Sequence, residues 1–184
     1  MLTIGYIGNG KSANRYHIPY VLTRDNMKIK TIYDLRVSHD VWKEVEGVNY
    51  TENIDDLLND SEIDLIVICT TPKTHYELAK KVLNAGKNVM VEKPFMPTYE
   101  QAKEIFDLAK SKNLFVQTYQ NRRYDSDFLT VQKVIESGKL GEVFEIVLTF
   151  DYWRPEVPLN STRVPYYDTL YYGHVVHTMD QIIS

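Results

Sequence analysis

The sequence predicts an α/β fold: a doubly wound parallel sheet that gives way, near residue 120, to a differently patterned second segment. Three observations carry this expectation. A short apolar run, Thr3-Ile4-Gly5-Tyr6-Ile7, ends in a glycine loop, Gly8-Asn9-Gly10-Lys11-Ser12-Ala13. Strand-like and helix-like stretches then alternate with short connections, as they do when helices cover both faces of a parallel sheet. Finally, Glu92-Lys93-Pro94 closes a later apolar run, Val89-Met90-Val91, and places a cation at a strand's carboxyl end.

The elements follow in order. Thr3 to Ile7 reads as a buried strand. The helical pattern after the glycine loop is interrupted by Pro19, which lacks a backbone donor, so a break is expected near His17 with a restart that holds Pro19 in its first turn. Met27 to Tyr33 is the second strand, Val37 to Val45 a helix, and Val48 to Tyr50 a short third strand. Asn53 can cap a helix over Ile54 to Leu58. Asp64 to Cys69 is almost continuously apolar, as a strand buried on both faces requires. Thr74 to Ala85 reads as a helix stopped by Gly86, and Asn88 to Val91 as the next strand. Thr98-Tyr99-Glu100-Gln101 fits a capping box, which starts a helix from about Tyr99 to Ser111. Leu114 to Tyr119 is the last strand of this series.

Beyond residue 120 the pattern changes. Asp125 opens a helix that ends near Gly138. Val143 to Trp153 alternates, with Phe144, Ile146, Leu148, Phe150 and Tyr152 on one face, which predicts a half-exposed antiparallel strand. Residues 154–168 carry three prolines and read as a loop, and a last helix starts near Gly173. A single such strand leaves unpaired edges, so it calls for more chain or for a second subunit. The expected division is 1–120 and 121–184, the latter a partial domain.

Composition narrows the function classes. The chain has 184 residues, a formal net charge of −4, 43% hydrophobic and 25% charged residues. A net negative chain is not expected to take nucleic acid or an anionic membrane as its main partner. The lone cysteine, Cys69, sits in an apolar strand and reads as a small buried hydrophobe, which suits a reducing, cytoplasmic setting. No apolar run reaches the ~20 residues of a membrane span.

Several residues point to chemistry. Gly8-x-Gly10-x-x-Ala13 has the spacing for a tight turn, close backbone approach to a pyrophosphate, and a small residue at the helix–strand contact. Free amides at the helix start, through Asn9, Lys11 and Ser12, would face the phosphates. Asp34 ends the second strand about 20 residues past the loop, where an acid binds a ribose hydroxyl and favours NAD. Arg36, two residues on, would instead favour the 2′-phosphate of NADP. Thr70-Thr71-Pro72 ends the apolar strand, where it would line the nicotinamide side, start the next helix, or both. His75 is open between packing and a site role.

Lys93, held extended by Pro94, would hydrogen-bond a substrate hydroxyl and favour its alkoxide-like form. His177 and Asp180 share a helix face, and a histidine is suited to take the alcohol's proton. His174 lies on the same side, but two histidines and one acid at this spacing give no metal site. Tyr152 and Tyr172, among several tyrosines, would stack on a sugar ring or pack in a core. Asn121, after the last parallel strand, is a further candidate for contact with a bound ligand.

Together these motifs resemble the Gfo/Idh/MocA oxidoreductases. The resemblance rests on Gly8-Asn9-Gly10, Cys69-Thr70-Thr71-Pro72 with His75, Ala85-Gly86-Lys87-Asn88-Val89, Glu92-Lys93-Pro94, Asn121-Arg122-Arg123, Gly138-Lys139-Leu140-Gly141 and His177-x-x-Asp180. Within the family it is most similar to the YhhX-type branch, through the stretch from Gly10 to His17 and through His177-Thr178-Met179-Asp180-Gln181. The resemblance implies NAD(P)-dependent oxidation or reduction of a sugar, a polyol or a related carbonyl compound. It implies a Rossmann domain followed by a domain built on an open antiparallel sheet, which commonly makes homo-oligomers. It places the family's strand-end lysine on Lys93 and its late catalytic histidine on His177. Many members carry an aspartate four residues before that histidine and a glycine two before it; here those positions are Gly173 and Val175. His177 would then act without that carboxylate. The rival expectation is a non-catalytic dinucleotide-binding module: a truncated remnant, a redox-sensing subunit or a partner-dependent chain.

Overall fold

Strands β1 (Leu2–Ile7), β2 (Met27–Tyr33), β3 (Asn49–Thr51), β4 (Leu65–Ile68), β5 (Asn88–Glu92) and β6 (Val116–Tyr119) form one sheet. Its order is β3-β2-β1-β4-β5-β6, with every pair parallel. The order reverses between β1 and β4, and in open α/β sheets ligands bind in the crevice at such a point. The structure is a computed structural model that describes residues 1–35, 41–149, 151 and 171–184. Two compact units divide it, Met1–Tyr119 and Gln120–Ser184.

In the first unit the strands alternate their side chains between two cores, as the pleat requires. Ile7, Ile66, Ile68, Val89 and Val91 point to the side covered by α2 (Asp55–Leu58), α3 (Pro72–Asn84) and α4 (Tyr99–Ser111). Ile4, Tyr6, Val67 and Cys69 point to the other, where Ala13 and Ile18 meet them. Local signals act in part as read from the chain. Thr98 Oγ1 accepts from the Gln101 amide at 3.3 Å, which is one half of the expected capping box, while Gln101 Oε1 is buried with no partner. Asn53, one residue before the N-cap Ile54, accepts from the Asp55 amide through Oδ1 at 3.2 Å. Gly86 closes α3 at φ 77°.

The break expected near His17 takes a specific form. Ala13–His17 is a π-helical turn, followed by α1 (Ile18–Val21) with Pro19 near its start. The Ile18 amide donates to Ala13 O across the widened turn, and Pro19, which has no amide to give, falls in the first turn of α1.

Two expected elements are corrected. Of the helix expected over Val37 to Val45, residues 37–40 lie outside the described residues and 41–45 are not helical. The Val45 amide donates to Tyr50 Oη at 3.0 Å, and Val48 N to Val45 O. Those bonds fold the segment back toward β3. Of the strand expected over Val143 to Trp153, residues 143–149 and 151 belong to no strand, and the rest lie outside the described residues. Alternation marks which residues could share a face; a strand also needs a neighbouring ladder to take its backbone bonds.

In the second unit a 3₁₀ turn (Asn121–Tyr124) leads into α5 (Ser126–Glu136), and a π-helical turn (Tyr171–Val175) leads into α6 (Val176–Ile183). Among the described residues no helix is long and apolar enough to cross a membrane.

Candidate dinucleotide site

The two loop glycines do different work. Gly8 has φ 105°, and a Cβ there would lie 2.7 Å from the Cys69 carbonyl oxygen, so this position admits little but glycine. Gly10 has no neighbour within 4 Å of such a Cβ. The space beside it is open to an approaching ligand. Asn14 braces the loop from behind, its Nδ2 donating to Asn9 O (3.1 Å), Asn9 Oδ1 (2.9 Å) and Gly10 O (3.1 Å). Ala13 is fully buried beneath it. A tight glycine, an open glycine and a small buried residue at this spacing fit a pyrophosphate group.

Asp34, just past β2, accepts from the Asn9 amide at 2.7 Å through Oδ2. The acid that would read the ribose is therefore tied to the loop that would seat the phosphates. Arg36 lies outside the described residues.

On the far side of the switch point, Thr71 is extended and exposed, and Pro72 opens α3. Thr74 Oγ1 contacts Thr70 Oγ1 at 2.8 Å and donates to Thr71 O at 2.9 Å. Thr70-Thr71-Pro72 thus does start a helix, at the sheet's carboxyl edge. His75 is fully buried. Its Nδ1 lies 2.9 Å from Pro94 O and 3.2 Å from Phe95 O, and its Nε2 lies 3.2 Å from Thr70 O. Burial lowers its pKa, against the pull of those carbonyls and of Glu92. His75 braces the Thr70 and Pro94 segments from below. Of the two roles left open for His75, packing or a site role, full burial supports packing.

Glu92 is the last residue of β5 and faces the second core, since Val89 and Val91 take the first. It is 5% exposed. A carboxylate so placed needs partners, and it has three. Oε1 accepts from Ser12 Oγ and meets His17 Nε2 at 2.9 Å, while Oε2 accepts from the Lys93 amide at 3.0 Å. Burial alone would raise its pKa. The His17 and Ser12 bonds, the charge of His17 and the Lys93 amide outweigh burial and hold it below the ordinary value. Lys93 follows, half-buried, and its peptide to Pro94 is cis.

Sequence reasoning did not single out Asn14, His17 or Tyr119 as site residues. His17 is 5% exposed, its ring 3.9 Å from that of Tyr119 and 6.0 Å, edge-on, from that of Tyr6. The available signal was Pro19: the break it forces turns His17 out of the regular helical register and toward the sheet.

In the second unit His177 is buried on α6. Asp180 does not serve it as a simple companion, because its carboxylate is taken bidentately by Arg123, at 2.7 Å and 2.8 Å. Gln181 Nε2 donates to Arg122 O at 3.0 Å, which joins α6 to the 3₁₀ turn that carries Asn121. Asn121 and Tyr172 are half-buried, and Tyr152 lies outside the described residues.

A parallel sheet in this strand order, with a glycine loop at the switch point and an acid just past the second strand, defines a Rossmann-type dinucleotide-binding domain. Residues 2–120 match the model of the oxidoreductase family with an NAD-binding Rossmann fold, Gfo/Idh/MocA, and the chain belongs to that family. It is 50% identical, over its whole length, to the uncharacterized oxidoreductase YhhX of Escherichia coli (strain K12), of which it covers 53%. The crystal structure of a probable oxidoreductase yhhX superposes with a TM-score of 0.92 at 48% identity over the whole chain and 53% of that protein. An oxidoreductase from Bacillus cereus gives 0.91 at 48%, again over the whole chain and covering 52% of that protein. The scyllo-inositol 2-dehydrogenase (NADP(+)) IolW of Bacillus subtilis (strain 168) is 30% identical over 85% of this chain and 43% of its own. The chain spans about half the length of the curated relatives it matches.

Proposed function

We propose that this chain carries the cofactor half of a nicotinamide-dependent oxidoreductase that acts on a CH–OH group of a sugar or polyol, or on the matching carbonyl. The observation that carries the reading is the shared hydrogen-bonding of the glycine loop and the Lys93 strand end at one rim of the sheet. A bound nicotinamide would take up or give up the hydride. Gly8, Asn9, Gly10, Lys11, Ser12 and Ala13 would seat the pyrophosphate, and Asp34 would take the adenosine ribose. Thr70, Thr71 and Pro72 would border the nicotinamide side. Lys93 Nζ would hydrogen-bond the substrate oxygen and stabilise its negative charge as the C–H bond breaks. A ring nitrogen of His177 would accept the hydroxyl proton, with Tyr172 and Asp180 shaping the substrate's surroundings, and Asn121 would touch the bound cofactor. Sugar or polyol chemistry is supported by the name of the inositol dehydrogenase relative.

Asp34 favours NAD as the cofactor, because its carboxylate would repel a 2′-phosphate; NADP, which that relative's name specifies, is the alternative. Calorimetric titration with NADH and with NADPH tests both points. NADH is expected to bind more tightly, by about tenfold or more, the worth of one charge-assisted contact. Binding of neither would overturn the reading for this chain. Binding without hydride transfer to any sugar or polyol would favour the rival, a dinucleotide-binding module.

A further inference from the structure

One side chain links the two functional parts of the first unit. Glu92 Oε1 bonds Ser12 and His17, which lie in the helical turns after the glycine loop, and Oε2 accepts from the amide of Lys93. The link is stiff. His17 is held between the rings of Tyr6 and Tyr119, and Tyr119 Oη donates to Tyr16 O at 2.6 Å, so β6 pins the same turn. Glu92 and His17 are each 5% exposed, which leaves water little access to replace these bonds.

His17, Cys69 and Glu92 also bring three potential metal-ligand atoms within 4.8 Å of one another. Hydrogen bonding accounts for the cluster. Both Glu92 oxygens are engaged, Oε1 with Ser12 and His17 and Oε2 with the Lys93 amide.

We propose that Ser12 and His17 are positioning residues that act through Glu92, coupling the seating of a dinucleotide on the glycine loop to the placement of Lys93. The inference rests on the function proposed above. A ligand that draws on the loop amides bears on the turn that holds Ser12 and His17, and the carboxylate carries that displacement to the Lys93 backbone. The Ser12 and His17 links to Glu92 are side-chain hydrogen bonds between groups far apart in sequence, so each can be cut singly, whereas the last link, to the Lys93 amide, is between neighbours.

The test measures NADH affinity by fluorescence and, separately, the labelling rate of the Lys93 amine with and without saturating NADH. In the unaltered chain NADH is expected to slow Lys93 labelling by at least about fivefold, the lower range of coupling between sites. Ser12→Ala and His17→Leu are expected to weaken NADH by about tenfold, the worth of a hydrogen bond to a charged group. They should also abolish the protection of Lys93 at saturating NADH. His17→Gln, which keeps an amide donor, should restore it. If His17→Leu does not fold, Ser12→Ala, a loss of one oxygen from a half-buried side chain, still decides. Lys93 protected in Ser12→Ala as in the unaltered chain overturns this inference alone. An unaltered chain that binds neither NADH nor NADPH overturns the function reading together with it.

Discussion

The two units make opposite use of similar raw material. In Met1–Tyr119 the amphipathic pattern closes on itself: both sheet faces are covered, and its buried acid has three partners. In Gln120–Ser184 the pattern is also amphipathic, but among the described residues no second layer covers it. Helix α5 buries none of its residues, and Leu129, Val131, Ile146 and Leu148 remain 40%, 49%, 50% and 41% exposed. Phe128, Val131, Ile135, Ile146 and Leu148 line an open apolar groove of about 300 Å³. The lesson is that periodicity specifies a face, and burial needs a partner for that face. Hydrophobic stabilisation follows area removed from water, so the first unit gains from its pattern what the described part of the second does not.

The contrast predicts unequal costs for removing an acid. Glu92→Ala strands His17 in the core and should destabilise by about 3–5 kcal/mol in urea unfolding. Asp180→Ala breaks a bidentate pair with Arg123, whose side chain is 47% exposed, and should cost about 1 kcal/mol or less. Equal costs would erase the distinction between the units.

Within the first unit the same logic separates two glycines. Gly8→Ala forces a Cβ against the Cys69 carbonyl and should cost about 2–3 kcal/mol, the range for overpacking. Gly10→Ala meets nothing and should leave stability within about 0.5 kcal/mol, as surface substitutions do. Its effect belongs in NADH affinity, since the new methyl occupies the open side of the loop. A Gly10 variant that melts like the Gly8 variant would show that both glycines serve packing.

Acid sharpens the comparison further, with a smaller effect. The folded pKa of His75 lies below its ordinary 6.5, chiefly through burial, so the unfolded chain takes up that proton first. Its contribution is complete above pH 6.5 and declines as pH falls through the lower folded value. Glu92 is also lowered, net of burial, by His17, Ser12 and Lys93. Its contribution is complete above about pH 4.5 and declines below. Urea midpoints should therefore drop in two stages, and His75→Gln should flatten the upper one. A stability of the first unit that is level from pH 7 to pH 5 would count against a lowered pKa for the buried His75.

Much of this could be read from the chain where the cause is local. Thr98, Asn53, Gly86 and Pro19 act within a few residues of themselves, and each does what its chemistry requires. The stretch 41–45 resisted because a tyrosine side chain, Tyr50, competes for the Val45 amide. The strand expected from Val143 resisted because alternation says nothing about who supplies the ladder. At the site, Gly8, Gly10 and Ala13 were legible from spacing, and Lys93 from its place at a strand end. His75 was visible as a residue but not as a buried brace, since its carbonyl partners on Pro94 and Phe95 lie about twenty positions away.

The sequence by itself determined the order of elements, the turn that must contain Gly8, the break at Pro19 and the family, because these depend on short-range sterics and on motif spacing. Only the tertiary structure decided that Asp34 holds the Asn9 amide, that Ser12 and His17 grip Glu92 across most of a domain, and that Asp180 belongs to Arg123. Those pairings depend on which strands become neighbours and which side chains reach one sheet edge. That is settled when the sheet closes its register and its two cores exclude water.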